Sequence, residues 1–337
     1  MDDTPLSNSR SYAPPERLRV SIELTNICNF ACPFCPQAYK HDALAPGGSP
    51  YNRRQGLMSR AVFARAVDEC NRVAETVELG FFGEQTLHPE YLERVRSLAT
   101  RSFTLEASTN VSYVTREMMQ AWIDARIDLV RLSLDAVTPE VFNVARPGKV
   151  RDFAGRLVPD GERMKAVNDK VRWWLAQPEH RATRLVFVKS SHNQGDERDK
   201  FLAQWLPCLG PDDRVLMKRV LSYGGKTADP LIAAHKCNVW DVRYLMIDWR
   251  GVLSPCNLDT NMDLVLGNVM EHSIDALYHG ERANELRRRT GCLRDLTPCR
   301  TCSDGNNWSD NETFSNPLYA AAGALPERSV PSASCAK

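Results

Sequence analysis

Residues 23–35 read Glu-Leu-Thr-Asn-Ile-Cys-Asn-Phe-Ala-Cys-Pro-Phe-Cys, and the three thiols among them, Cys28, Cys32 and Cys35, decide how the rest of the chain is read. The spacing Cys-x3-Cys-x2-Cys places three sulfur ligands on one short loop. Structural zinc sites usually carry paired spacings and four protein ligands. Three close thiolates with no fourth ligand nearby suit an iron–sulfur cluster with one iron left open to a small molecule. The stretch before them, LRVSIELT at 18–25, alternates apolar and polar residues like a strand. The thiols therefore sit on a loop at a strand's end.

Outward from that loop the chain repeats a rhythm. After a Gly/Pro-rich stretch at 41–56, Ser59 reads as the N-cap of a helix running to about residue 74. Short apolar runs follow: VELGFF (77–82), FTLEA (103–107), LVRLSL (129–134), RLVFVK (184–189) and RVLMKRV (214–220). Helix-like stretches at 90–99, 115–126, 161–176 and 196–206 separate them. Strand and helix in alternation give an α/β fold with a parallel sheet and helices outside. Six such units predict a partial (β/α)6 barrel, with its chemistry at the C-terminal ends of the strands. SYGGKTADP at 222–230 marks a boundary. Beyond it, 243–248 and 252–254 predict a hairpin turning at Trp249-Arg250-Gly251, then a helix near 273–289. The expected organisation is a loose lead-in at 1–16, a core at 17–225, a small cysteine-rich β-hairpin/helix domain at 226–305 and a disordered tail at 306–337.

Composition narrows the function classes. Hydrophobic residues make up 43% and charged residues 25%, which is the balance of a globular chain. Lys+Arg is 43 against Asp+Glu 42, so the basic excess of a nucleic-acid binder is absent and no nucleic-acid partner is expected. No apolar run has the length of a membrane span, and MDDTPLSNSR at the start is acidic and polar, unlike a signal peptide. A cytoplasmic location without membrane association is the expectation, so the 11 cysteines are read as buried thiols or metal ligands rather than disulfides.

A second group of thiols lies far downstream. Cys237 and Cys256 flank the predicted hairpin, and Cys299-x2-Cys302 follows. Four thiolates from distant segments suit zinc or a second iron–sulfur cluster, and spacing leaves both open. Cys292 is left over, as a loop thiol, as a member of a different ligand set or as a hydrogen-atom donor in an active site. Cys208 carries the same ambiguity. Cys70, on the apolar side of the 60–74 helix, reads as core, and Cys335 as inert.

ELTNICNFACPFC resembles the signature of the radical S-adenosylmethionine (radical SAM) enzymes. The resemblance implies that Cys28, Cys32 and Cys35 hold a 4Fe–4S cluster whose fourth iron is chelated by SAM, and that Phe34 lies by the adenine. It extends to Gly80-Phe81-Phe82-Gly83-Glu84, where the family has a Gly-Gly-Glu motif for the SAM ammonium; Phe82 replaces the first glycine. LHPE at 87–90 also fits. Ser108 and Asn110 at the third strand's end, and Ser133 and Asp135 at the fourth, match positions that reach SAM, although Ser133 and Asp135 read equally well as helix caps. The downstream cysteines, Gly251-x4-Cys256 and LGNV at 266–269 resemble the SPASM and twitch domains behind many radical SAM cores. With five cysteines in that region, the shorter twitch form with one auxiliary 4Fe–4S cluster on Cys237, Cys256, Cys299 and Cys302 is expected.

The resemblance implies hydrogen-atom abstraction from a small-molecule substrate, with an electron donor such as flavodoxin or ferredoxin. Within the family the likeness is to enzymes on sugars, aminocyclitols and nucleosides in antibiotic pathways, which makes dehydrogenation of a secondary alcohol the leading reaction. Lys218, Arg219 and Asp259 are candidates for the base. The alternatives are a redox-neutral epimerase, with Cys292 as hydrogen donor, and a sugar-acid decarboxylase. A peptide-modifying enzyme ranks lower, and a zinc-binding module without catalysis lowest.

Overall fold

A computed structural model describes residues 18–40, 51–233, 237, 239–240, 243–289, 295–296, 298–303 and 311–320. Six strands run parallel in chain order: β1 (Leu18–Ile22), β2 (Ala74–Leu79), β3 (Thr104–Thr109), β4 (Leu129–Ser133), β5 (Ala182–Lys189) and β6 (Arg214–Arg219). Parallel neighbours need crossover connections. These carry α1 (Arg60–Val73), α2 (Tyr91–Ser97), α3 (Arg116–Asp124), α4 (Pro139–Ala145), α5 (Arg163–Leu175) and α6 (Glu197–Trp205). The partial (β/α)6 barrel read from the alternation is the observed core.

Local chemistry explains the elements. The Ser59 hydroxyl accepts from the Val62 N–H and caps α1, as its position before the apolar periodicity predicted. One face of α1 buries Phe63, Ala66 and Cys70, which places Cys70 in the core. Strand residues Val20, Ile22, Val77, Leu79, Leu105 and Met217 have no exposure, as expected where helices cover a parallel sheet. The α4 helix is absent from the sequence reading because it is only seven residues long; Pro139 at its first turn starts it.

The hairpin forms as predicted from β7 (Tyr244–Ile247) and β8 (Val252–Ser254). β7 pairs in parallel with β1, Arg19 facing Tyr244 and Ile22 facing Ile247, so the hairpin continues the core sheet. A short β9 (Gly267–Asn268) adds to β8. The expected helix near 273–289 is two helices, α7 (Ile274–His279) and α8 (Glu281–Arg289), broken at Gly280.

The tail expectation needs a correction. Within 306–337, β10 (Glu312–Phe314) pairs antiparallel with β6 and closes the sheet's other edge, giving the order β10-β6-β5-β4-β3-β2-β1-β7-β8-β9. An uncovered edge strand leaves backbone groups unpaired. Glu312 is held there by Lys189 and Arg198 at 2.5 and 3.0 Å. None of the described helices is long and apolar enough to cross a membrane.

Candidate active site

The C-terminal ends of the parallel strands open on a cavity of about 700 Å³. Cys28, Cys32 and Cys35 line it from the loop after β1. The Phe30 backbone N–H and the Asn110 side-chain amide point at the Cys28 sulfur, at 3.4 and 3.8 Å. Burial pushes all three thiols up, Cys32 to about 12. As thiolates they therefore need a bound cation, which is what an iron–sulfur cluster supplies. Among the described residues no three His, Cys, Asp or Glu side chains close on a single ion. Three thiols spread round one cavity suit a polynuclear group better than one zinc.

The loop after β2 forms the next wall. Phe81 and Gly83 both have positive φ, 122° and 86°. A Cβ on Gly83 would lie 2.4 Å from the Thr25 carbonyl oxygen, so only glycine lets this loop close on the end of β1. Glu84, 2% exposed, accepts from Asn110 N (2.6 Å), Thr109 Oγ1 (2.7 Å), Thr86 Oγ1 (2.6 Å) and Thr86 N (3.3 Å). Burial raises its carboxyl and these donors oppose the shift. Glu84 thus anchors the loop to β3. The backbone of the loop and the cavity edge of the carboxylate are what remain for an ammonium group.

Phe34, Gly83, Glu84, Ser108, Asn110 and Ser133, all singled out in the sequence, line the cavity. Asp135 does not. It has no exposure, sits at φ 59°, pairs with Arg146 and accepts from the Val188 N–H at 2.6 Å. Its left-handed backbone turns the carboxylate into the protein, and Arg146 is the member of the pair that reaches the cavity. Arg219, a candidate for the base, lines the cavity. Asp259 is likewise corrected: fully buried, it accepts from Leu264 N (2.7 Å), Asp263 N (2.9 Å) and Ser254 Oγ (3.0 Å), holding the loop after Cys256. Cys292 and Cys335 lie outside the described residues. Cys208, expected as a free thiol, is instead disulfide-bonded, which removes it as a hydrogen-atom donor; it is buried near Arg172 and does not line the cavity.

The far wall is a polar network of which only Ser108 and Lys218 were singled out in the sequence. Arg131 reaches Glu106 (2.7 Å) and Glu78 (3.5 Å), Arg19 reaches Glu106 (2.6 Å), and Ser108 and Tyr244 donate to Glu78. Burial pushes the Glu78 carboxyl up, but Arg131 and the two hydroxyl donors outweigh it and hold it at about 2. Lys218 lines the same wall; burial, reinforced by Arg131, lowers its ammonium pKa. For the others the available signal was charge inside apolar strands: Glu78 and Arg131 each interrupt a run of hydrophobic residues.

The second thiol group gathers beside this cavity. Burial pushes the Cys256 thiol well up, and Asp259, Cys302 and Cys237 add to the effect, so these sulfurs share one neighbourhood. The Cys302 N–H donates to the Cys299 carbonyl at 3.4 Å. Three buried polar atoms nearby, Lys226 Nζ, Asn257 Oδ1 and Thr260 Oγ1, have no hydrogen-bond partner among the described residues. Four thiols with orphaned polar atoms around them fit a bound metal cluster. Asn257 and Leu258, directly after Cys256, line the main cavity, so the loop that follows one thiol of the second group reaches the space lined by the first group, although Cys237, Cys256, Cys299 and Cys302 themselves do not line it.

Comparison with known proteins agrees with this geometry. Residues 22–168 match the Radical SAM superfamily, and residues 237–303 match SPASM, an iron–sulfur cluster-binding domain. A relative from Pyrococcus furiosus, the tungsten-containing aldehyde ferredoxin oxidoreductase cofactor-modifying protein, is 30% identical over 89% of this chain and 94% of its own length. GTP 3′,8-cyclase of Microcystis aeruginosa is 30% identical over 36% of each chain. Among solved structures, BtrN in complex with AdoMet and 2-DOIA superposes with a TM-score of 0.54 at 17% identity, covering 87% of this chain and 94% of that one. SuiB of Streptococcus suis bound to precursor peptide SuiA gives 0.62 at 12% identity, covering 86% and 72%. These two likenesses concern the fold.

Proposed function

This chain belongs to the radical SAM superfamily, and on that premise we propose that it oxidises a secondary alcohol of a sugar, aminocyclitol or nucleoside held between its two thiol groups. The family's cofactors are a 4Fe–4S cluster and SAM, and the SPASM domain brings auxiliary iron–sulfur binding. We assign the core to residues 17–225 and the second domain to 226–305. Cys28, Cys32 and Cys35 hold the first cluster, and Cys237, Cys256, Cys299 and Cys302 a single second one. Flavodoxin or ferredoxin is the proposed electron donor.

When bound, these groups supply a 5′-deoxyadenosyl radical that takes the carbinol hydrogen and an acceptor for the electron left behind. The chain's own residues do the rest. The Gly80–Glu84 loop and Asn110 orient SAM. Arg131 and Arg219 orient the substrate, and Lys218 accepts the hydroxyl proton, so that hydrogen atom, proton and electron each have a destination and a ketone is left. Phe34, Phe82, Leu216 and Met246 keep water from the radical.

The observation that supports oxidation is the shared cavity: Asn257 and Leu258, next to Cys256, line the space that Cys28, Cys32 and Cys35 line. The test is Cys256→Ala and Cys302→Ala in anaerobically reconstituted protein. Both should still cleave SAM to 5′-deoxyadenosine and form no ketone; undiminished ketone would refute the role. A second reading is a redox-neutral epimerase or a sugar-acid decarboxylase, in which a thiol, Cys292, returns a hydrogen atom to the substrate radical; the cationic wall of Arg131, Lys218 and Arg219 suits the carboxylate of the decarboxylase substrate. It predicts carbon dioxide or an inverted centre in place of a ketone.

A further inference from the structure

Lys226 lies in the stretch that reads in the sequence as a boundary. In the structure this stretch is wrapped against the Cys299–Cys302 loop. A Cβ on Gly224 would lie 2.6 Å from Pro298 Cβ, and one on Gly225 would lie 2.7 Å from Thr301 Oγ1. The Thr301 hydroxyl donates to the Gly224 carbonyl, and the Ser303 and Ser222 hydroxyls meet at 3.5 Å. Close backbone approach of this kind is what two consecutive glycines permit. The next residue, Lys226, is carried inward.

Lys226 has no exposure, and its Nζ has no hydrogen-bond partner among the described residues. A buried cation without a partner is costly, so a lysine retained in such a place calls for an anion beside it. The groups that act on its charge are Asp263, Asp259, Cys302 and Cys256. Asp259 is already occupied by Ser254 and two backbone N–H groups, and Asp263 is exposed. Besides Asp263, which acts on it most strongly, the half-buried Cys302 and Cys256 are the anions it can face once they bind metal.

We propose that Lys226 sets the reduction potential of the cluster held by Cys237, Cys256, Cys299 and Cys302, its ammonium favouring the reduced state. This rests on the reading of those four residues as cluster ligands. A cluster carrying four thiolates gains negative charge on reduction, and a fixed positive charge at close range in a low-dielectric interior stabilises the more negative state. The effect makes the second site a better acceptor of one electron from a substrate radical. The cation is fixed in place by the glycine-mediated contact of its own segment with the ligand loop.

The experiment is a redox titration, followed by electron paramagnetic resonance, of anaerobically reconstituted wild type, Lys226→Met, Lys226→Gln and Lys226→Arg, with iron and sulfide counted in each. The neutral variants should shift the second cluster's midpoint to lower potential and leave the first cluster's in place. Lys226→Arg should stay near wild type. Asp263→Asn, a surface change that removes an opposing charge, should shift the same midpoint upward. A second-cluster midpoint unmoved in the neutral variants, with about eight irons bound, would overturn this inference alone. Loss of the second cluster from both neutral variants but not from Lys226→Arg would also overturn it, by making Lys226 a residue that retains the cluster. About four irons in wild type would overturn the ligand assignment and this inference with it.

Discussion

The Asn110 backbone N–H donates to Glu84 Oε2 at 2.6 Å, tying the loop after β2 to the end of β3. Asn110 also points its side-chain amide at Cys28, so one residue links the Glu84 loop to the cysteine loop. The backbone proposed to face SAM is therefore shaped by a buried carboxylate.

Glu84→Gln tests this link. An amide cannot accept at both of its ends, so at least one donor among Thr86, Thr109 and Asn110 is left facing an N–H₂ group. The cost should be about 1–3 kcal/mol of stability, and SAM affinity should fall by roughly tenfold or more, because 1.4 kcal/mol is a factor of ten. Iron content of the first cluster should be kept. Equilibrium binding of SAM and chemical unfolding check both; unchanged affinity and stability would show that Glu84 does not shape the loop.

Asp135→Ala should act through folding. It removes the partner of buried Arg146 and the acceptor of the Val188 N–H. Breaking a buried pair by deleting one partner costs about 3–5 kcal/mol. Denaturant unfolding should show a loss of this size, where an exposed ligand contact would cost little.

The sequence made the cysteine loops, the strand–helix alternation and Glu84 legible because each depends on residues close together in the chain. It misplaced Asp135, because a strand-end motif does not reveal that a left-handed backbone turns the side chain inward. It misplaced Asp259 because adjacency to Cys256 indicates a ligand loop equally well whether the carboxylate faces a substrate or caps the backbone. Glu78, Arg131, Lys218 and Tyr244 come from four strands, and their meeting follows from sheet order. The pairing of β7 with β1 was hidden for the same reason: register between distant strands is not written in either strand.

Glu78 predicts an acid sensitivity. Its carboxyl sits at about 2 against an ordinary 4.5, so the unfolded chain binds the proton first on acidification. Its stabilisation is complete above the ordinary value and is lost as pH falls toward 2, amounting to about 3 kcal/mol at neutral pH. In urea unfolding of the metal-free chain, Glu78→Gln should be less stable than wild type at about pH 7, and the gap should narrow by about pH 3. A gap that stays constant would contradict the depressed pKa.

Lys218 predicts a rate that rises with pH. Only the neutral amine accepts a proton, and burial lowers its pKa, so the competent fraction grows as pH rises through that lowered value. Lys218→Met should keep 5′-deoxyadenosine formation, lose about a hundredfold or more in ketone formation and lose this pH dependence. An unaltered profile would remove Lys218 from the chemistry.

The most direct test of the central claim is deuterium transfer. Sugars, aminocyclitols and nucleosides labelled at the carbinol carbon are incubated with SAM, reductant and the reconstituted protein, and 5′-deoxyadenosine and product are analysed by mass. The account predicts one deuterium in 5′-deoxyadenosine and a ketone at the labelled carbon. Unlabelled 5′-deoxyadenosine accompanying a ketone, or labelled 5′-deoxyadenosine accompanying an inverted alcohol or carbon dioxide, would contradict it.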